Sequence, residues 1–271
     1  MAPHGSWESP VTPEIVVRAG VGISSPLVSG GNVYCLESRP AESGRVVVVR
    51  RGLDGAVHDV TPPGWSARSR VHEYGGGSYL VWQDAVIFSN WQDQRLWRQD
   101  GLGTPHPLTP ETPPDVSVRY ADGRMVPGGR FVACVRETHP PEAGPSGVVN
   151  EIVLVPAGGA GAGRAGAGGA GAGRAGAGRA GTELVVVTGN DFYAAPRPSQ
   201  DGGRLAWISW DHPYMPWDSS ELWVASISPG GALGSPLRRA GGVGESVLQP
   251  TWGPSGELWF VSDRSGWWNL Y

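Results

Sequence analysis

The chain has no lysine: all 21 of its basic residues are arginine. That excludes, within these residues, a Schiff-base lysine, a phosphate-loop lysine and a Ser-Lys dyad. Cysteine is nearly absent as well. Cys35 and Cys134 each lie inside an apolar run, which reads as two small buried hydrophobes rather than a disulfide framework or a metal pair. No run reaches the roughly 18 apolar residues that a membrane-spanning helix needs, and no N-terminal stretch resembles a signal peptide. The expectation is a soluble, cytoplasmic chain with no membrane partner. The net charge of -4 comes without a basic stripe, since Arg50-Arg51 and Arg238-Arg239 are isolated pairs. Nucleic acid is therefore not an expected partner. An amphipathic helix of useful length is also missing.

Catalytic motifs are lacking too. GGSYL, GPSGV, GISSP and GESVL each place Ser after a Gly-x, but none has Gly two positions beyond the Ser. A nucleophile elbow needs both small residues for its sharp strand-to-helix turn. The six histidines, at 4, 58, 72, 106, 139 and 212, form no H-E-x-x-H. With no Cys pair beside them, neither a metal nor another cofactor is expected. The triple glycine at 75–77 opens no helix and so makes no phosphate cradle. The 25 acidic residues show no recognisable pairing of the glycosidase kind.

What the chain has in quantity is Gly (43), Pro (25) and Trp (13), the composition of many short strands joined by turns and packed by large flat side chains. It also repeats. Each unit holds an alternating strand, a turn, a second strand, a polar loop and a third strand ending in an apolar pair. The third-strand pairs are Val48-Val49, Leu96-Trp97, Ile152-Val153, Leu222-Trp223 and Leu270-Tyr271, with spacings of 48, 56, 70 and 48 residues. The long spacing holds the low-complexity run 157–181, and without those 25 residues it is 45. A period near 45–50 with about four strands per unit predicts a β-propeller, here four blades and most of a fifth. Gly30-Gly31-Asn32, Gly128-Gly129, Asp201-Gly202-Gly203 and Ser255-Gly256 fall between first and second strands, where a hairpin favours positive φ. In the second unit Gln83-Asp84 takes that place. The run 157–181 has no side chain large enough to bury, so its ordering entropy goes uncompensated. It reads as a disordered loop joining the third and fourth strands of its blade, ILVPAG and TELVVVTG.

Five stretches resemble a known family: HGSWESPVTPEIVV, RSRVHEYGGGSYLVW, FSNWQDQRLW, RPSQDGGRLAWISWDHPYMPWDSSELWVA and QPTWGPSGELWFVSDRSGWWNLY. They are similar to the N-terminal propeller of prolyl oligopeptidase family serine peptidases, above all its dipeptidyl and acylaminoacyl peptidases. The likeness runs from about His4 to Tyr271 apart from the low-complexity run. HEYGGG and SWDHPYMPWD are its most specific parts; SDRSGWWNLY is shared with TolB-type propellers. The resemblance implies a seven- or eight-bladed propeller followed by an α/β-hydrolase domain that carries the Ser, Asp and His. The present chain would then stop before the catalytic domain. It would gate access and position short peptides without hydrolysing them alone. In some members propeller glutamates hold a peptide's free N-terminus. His72, Glu73 and Tyr74 are candidates for such a surface, with Glu73 as the anion, although residues at the start of a blade strand equally serve to brace the next blade. Asp211, His212, Trp217 and Asp218 form a second candidate surface in the polar loop of the fourth unit. The other reading is a non-enzymatic, TolB-like binding scaffold. The unpaired edge at WWNLY would also invite self-association.

Overall fold

The structure is a computed structural model that describes residues 3–7, 10–12, 20–141, 144, 147–158 and 183–271. Five antiparallel sheets follow one another along the chain. The first contains β1 (Gly22–Ser29), β2 (Asn32–Arg39), β3 (Arg45–Arg51) and β4 (Val57–Asp59). The second contains β5 (Tyr79–Trp82), β6 (Ala85–Ser89), β7 (Leu96–Asp100) and β8 (His106–Pro107). The third contains β9 (Ser117–Met125), β10 (Phe131–His139), β11 (Val149–Pro156) and β12 (Leu184–Val187). The fourth contains β13 (Phe192–Pro198), β14 (Arg204–Trp210), β15 (Glu221–Ser226) and β16 (Leu237–Gly241). The fifth has three strands, β17 (Val247–Trp252), β18 (Leu258–Ser262) and β19 (Asn269–Leu270). This is the predicted propeller, with the third-strand anchors on β3, β7, β11, β15 and β19, save that Tyr271 lies one residue beyond the end of β19. The 3-10 turn Pro40–Glu42 is the helical element described in full, and among the described residues no helix is long and apolar enough to cross a membrane.

The blades are joined through their faces. In the second strand of a blade, alternate side chains point to opposite faces. Val132 and Cys134 of β10 enter the core shared with the second blade, together with Leu80, Ile87 and Met125. Phe131, Ala133 and Val135 enter the core shared with the fourth, against Tyr193, Leu205 and Trp207. Ala206, Ile208 and Trp210 of β14 then pack toward the fifth blade with Val247 and Trp252. Two-sided burial explains why the second strands are apolar nearly throughout, unlike strands with one wet face. Cys134 is fully buried in this packing, and its thiol is pushed far up by burial; Cys35 is only partly buried and is also free.

The first strands share one irregularity. In four of them two residues oppose a single partner: Ser25 and Pro26 in β1, Asp122 and Gly123 in β9, Ala195 and Pro196 in β13, Gln249 and Pro250 in β17. The first residue of each bulge has positive φ (52° for Ser25, 56° for Asp122, 52° for Ala195, 55° for Gln249). The second is proline or glycine, which suits a site where the ladder is already interrupted. Asp122 exploits this kink. Its N–H donates to the Gly77 carbonyl at 2.7 Å, its Oδ1 accepts the Gly77 N–H at 2.6 Å, and its Oδ2 accepts the Ala195 N–H at 3.3 Å. One residue therefore ties together the innermost segments of the second, third and fourth blades. The close approach requires the glycines of HEYGGG: a Cβ on Gly77 would lie 2.8 Å from Asp122 Oδ1, and one on Gly76 would lie 3.0 Å from the Ala121 Cβ.

The low-complexity run lies almost entirely at 159–182, outside the described residues. Composition places Ala157 in that run, but the fold does not. Ala157 is buried in the core between the second and third blades, its N–H donates to the Arg130 carbonyl, and its own carbonyl accepts from Arg98 Nη1. Beyond the gap β12 resumes pairing with β11, Leu184 opposite Leu154.

Asp122→Ala removes the acceptors of the exposed Gly77 N–H and the part-buried Ala195 N–H, so it is expected to cost about 1–2 kcal/mol. Asp122→Asn, which keeps Oδ1, should cost less than half as much. Urea unfolding of the three proteins checks this ordering; equal stability of Asp122→Ala and the parent would refute the role given to Asp122.

Candidate functional site

A cavity of about 920 Å³ opens at one end of the second, third and fourth blades, lined by His72, Glu73, Glu137, His139, Asn150, Asp191, Phe192 and His212, with Gly144 and Val148 at its margin. It is built from segments that enter first strands, from the end of β10 and from loops between second and third strands. These all lie at the same end of the sheets, because strands alternate direction within each blade.

Glu137 is the centre of the site. It is only 2% exposed, although carboxylates are seldom buried unless paired. Its Oε2 accepts the His72 N–H at 2.8 Å, and its Oε1 meets Arg119 Nη1 at 3.0 Å and His139 Nε2 at 2.7 Å. Arg119 Nη1 also donates to Glu73 Oε1 at 2.6 Å and to the Arg70 carbonyl at 2.9 Å. The hydrogen bond from Arg119 lowers the Glu73 carboxyl from its ordinary value. Glu73 remains largely exposed to the cavity, with one side-chain oxygen uncommitted. Its backbone and that of His72 both have positive φ, 65° and 54°, a strained pair for residues other than glycine. The His72 N–H bond to Glu137 and the Gly75–Asp122 region hold that strain.

Aromatic rings form the opposite wall. Phe192 stacks on Trp210 with centroids 5.2 Å apart and planes at 12°. The His72 ring meets both edge-on at 5.4 Å, and the His212 ring lies 5.0 Å from Phe192. Burial, outweighing the pull of the Glu137 and Asp122 charges, depresses the His72 imidazole below its ordinary value. Asp191 accepts from both the N–H and Nδ1 of His212 at 2.9 Å, and the backbone bond is the main reason its carboxyl is lowered.

The structure brings His72 and Glu73 of the first suggested surface and His212 of the second into one cavity. Tyr74 stands at its edge, 68% exposed, with its hydroxyl 3.5 Å from His72 Nδ1. Asp211 does not line the cavity. Its oxygens accept from Asn190 Nδ2 and the Asp191 N–H, which fixes the turn that presents Asp191. Trp217 is 59% exposed and lies apart from the cavity, and Asp218 accepts from the Met215 N–H within its own loop. Sequence reasoning passed over Arg119, Glu137, His139, Asn150 and Asp191. The available signal was Glu-Thr-His at the end of β10: period-two spacing puts Glu137 and His139 on one face at the mouth of the blade.

Glu73, Glu137 and His139 present ligand atoms within 4.8 Å of one another, as a metal site would. Arg119 already places its positive charge between the two carboxylates, so the donor set is occupied by a resident cation and does not fit a metal.

Neither family models nor curated proteins match the chain. Solved structures do. A puromycin-hydrolyzing peptidase from Mycobacterium tuberculosis is 41% identical with a TM-score of 0.83, over 100% of this chain and 40% of that one. Puromycin hydrolase is 32% identical with a TM-score of 0.83, over 99% of this chain and 40% of its own. The chain matches the propeller part of these peptidases, consistent with an N-terminal propeller of the prolyl oligopeptidase family. It spans about 40% of the length of these peptidases. Prolyl oligopeptidase B from Galerina marginata shares the fold at 11% identity and a TM-score of 0.52. In this propeller, the acidic cavity occupies the end where first-strand entries and second-to-third-strand loops converge.

Two outcomes follow from the charge network. Arg119→Met leaves the buried Glu137 without its cation and is expected to cost about 3–5 kcal/mol in urea unfolding. The His72 effect has a definite sign. A base with a depressed value in the folded chain takes up its proton more readily when unfolded. Its contribution is complete above the ordinary value of about 6.5 and is lost as pH falls below it. The parent should therefore lose stability between pH 7.5 and 5.5, and His72→Asn, which tolerates the same backbone angle, should lose less. Unfolding free energies at both pH values decide the point; identical pH slopes for the two proteins would remove His72 from the account.

Proposed function

We propose that this propeller is the substrate-side module of a serine-type peptidase, of the dipeptidyl rather than the acylaminoacyl kind, and that its cavity receives the free amino terminus of a short peptide. Peptide hydrolysis would proceed by acyl transfer to a serine on a hydrolase domain, with an oxyanion hole stabilising the tetrahedral intermediate. The propeller's part is to admit, orient and retain the substrate.

One observation carries this reading: two carboxylates, Glu73 and Glu137, share a single guanidinium, and Glu73, which lines the cavity, has one oxygen without a hydrogen bond among the described residues. The cluster keeps an excess of negative charge even after Arg119 is counted. An ammonium is recognised well by such charge-assisted acceptors when it is partly desolvated. Phe192 offers an apolar surface beside it for the first side chain of the peptide. An acylated amino terminus carries no charge and would gain nothing from Glu73, so the cavity favours free-amine substrates over blocked ones. One related puromycin hydrolase has been solved in complex with PGG, which makes that tripeptide a suitable probe.

The test is a titration of the chain with Pro-Gly-Gly and with its N-acetylated form, followed by chemical-shift changes. The free-amine peptide should bind more tightly, and Glu73→Gln should weaken it about tenfold, equivalent to about 1.4 kcal/mol, without changing the acetylated peptide. Equal affinity for both peptides would overturn the assignment.

A further inference from the structure

Several half-buried arginines meet carboxylates: Arg39 bonds Glu37 and Asp59, Arg119 bonds Glu73 and Glu137, and Arg136 bonds Glu151 and Glu183. Arg95 and Arg204 instead reach backbone carbonyls distant in sequence, Thr109 and Gly256, and lie over the rings of Trp97 and Trp252. Two on adjacent first strands have neither kind of partner. Arg124 on β9 and Arg197 on β13 are both partly buried. Among the described residues their guanidinium groups donate only to backbone carbonyls next to them in sequence, Arg124 Nη1 to Gly123 at 2.8 Å and Arg197 Nη1 to Pro196 at 3.0 Å.

Their placement is not independent. Each stands two residues beyond the positive-φ residue of its bulge, Asp122 and Ala195, where the other bulged strands carry Leu27 and Thr251. The Asp122 carboxylate joins those two bulges directly by accepting the Ala195 N–H. Arg124 and Arg197 therefore occupy equivalent levels on adjacent innermost strands. The acidic group whose charge acts on Arg197, Asp122, has already committed one oxygen to Gly77 and the other to Ala195. Burial, reinforced by the neighbouring Arg124 charge, pushes Arg197 down to about 10.

A desolvated cation beside a like charge is costly unless an anion joins it. Guanidinium forks present several donors in a plane, matched to the oxygens of carboxylate and phosphate. We propose that Arg124 and Arg197 form an anion-binding site on the innermost strands of the third and fourth blades, which takes an oxyanion: the carboxylate of a peptide or a free phosphate. The site is distinct in residues and in charge from the acidic cavity, whose cation is Arg119.

The experiment uses the 271-residue chain in Tris chloride of matched ionic strength. The probes are inorganic phosphate, N-acetyl-Gly-Gly, and N-acetyl-Gly-Gly amide, none of which carries a free amine. Their outcome is therefore separable from that of the amino-terminus reading. An occupied site raises Tm by roughly 5–10 °C at about 100 times Kd. A rise with N-acetyl-Gly-Gly but not its amide identifies a peptide carboxylate; a rise with phosphate alone identifies a free anion. Arg197→Gln should abolish the rise, while its own Tm without oxyanion is no lower than that of the parent, because an unpaired cation has been removed. Should Arg197→Gln fail to fold by near-ultraviolet circular dichroism, Arg124→Gln carries the same expectation. No rise with either oxyanion, an equal rise with the amide, or a rise retained in the folded variants would overturn the proposal.

Discussion

The arrangement depends on Asp122. A propeller blade is internally secured by its ladder, but blades meet mainly through side chains, and apolar packing is non-directional. Asp122 adds direction. Its backbone N–H and Oδ1 pair with both polar groups of Gly77, as a further rung of a ladder would, while Oδ2 reaches Ala195. Three blades are thereby held at a fixed relative height. Similar hooks occur elsewhere, from the Tyr79 hydroxyl to the Ser25 carbonyl and from Trp252 Nε1 to the Arg197 carbonyl. Each of these links a first strand to the bulged part of the preceding one. The bulges leave backbone groups outside the ladder, and the neighbouring blade uses them.

The acidic cavity follows from this fixation. His72 and Glu73 hold backbone angles that each cost about 1–2 kcal/mol for residues with a Cβ. A segment with that strain keeps one conformation only if its ends are fixed. Gly77 is fixed by Asp122 at one end, and the His72 N–H is fixed by the Glu137 carboxylate. The same Glu137 carboxylate is held by Arg119 and His139. The fold and the candidate site thus draw on one set of bonds, which order Glu73 and Glu137 through contacts within the chain.

The architecture was legible in the sequence because its signals repeat. A spacing near 48 residues, an apolar pair on each third strand and a glycine turn before most second strands each report the same blade. The bulges were present in the sequence as well, as Ser25-Pro26, Ala195-Pro196 and Gln249-Pro250, but a residue before proline looks like any loop or strand edge until the ladder is seen. The cavity was half legible. His72 and Glu73 stood out because glycine follows them, and His212 because of its unusual loop. Glu137, by contrast, sits in a strand where alternating polar residues normally mark a wet face, and only the packing shows that its face is closed by Arg119 and the His72 loop. Asp211 and Trp217 misled for the opposite reason. Their loop is rich in reactive side chains, but Asp211 spends its oxygens on the turn at Asn190-Asp191, and Trp217 is not among the residues that line the cavity. Ala157 shows the same limit at small scale, since composition cannot separate the last residue of a buried strand edge from the alanines that follow it.

Charge is distributed in a way that neither composition nor net charge reveals. The chain is acidic by four units, yet its first strands carry Arg124 and Arg197 without ion-pair partners, while the cavity at the loop end gathers Glu73, Glu137 and Asp191. Both groups are positioned through Asp122, which anchors the glycines below Glu73 on one side and the Ala195 bulge on the other. A substrate with an ammonium at one end and a carboxylate at the other would find complementary charge at each place. The buried Glu137 and the half-buried arginines act through a lower dielectric than water and are less screened than the exposed Glu73. The sign of the field a peptide meets would therefore change along its path from the loop end to the innermost strands, and that change favours one orientation of the chain over its reverse.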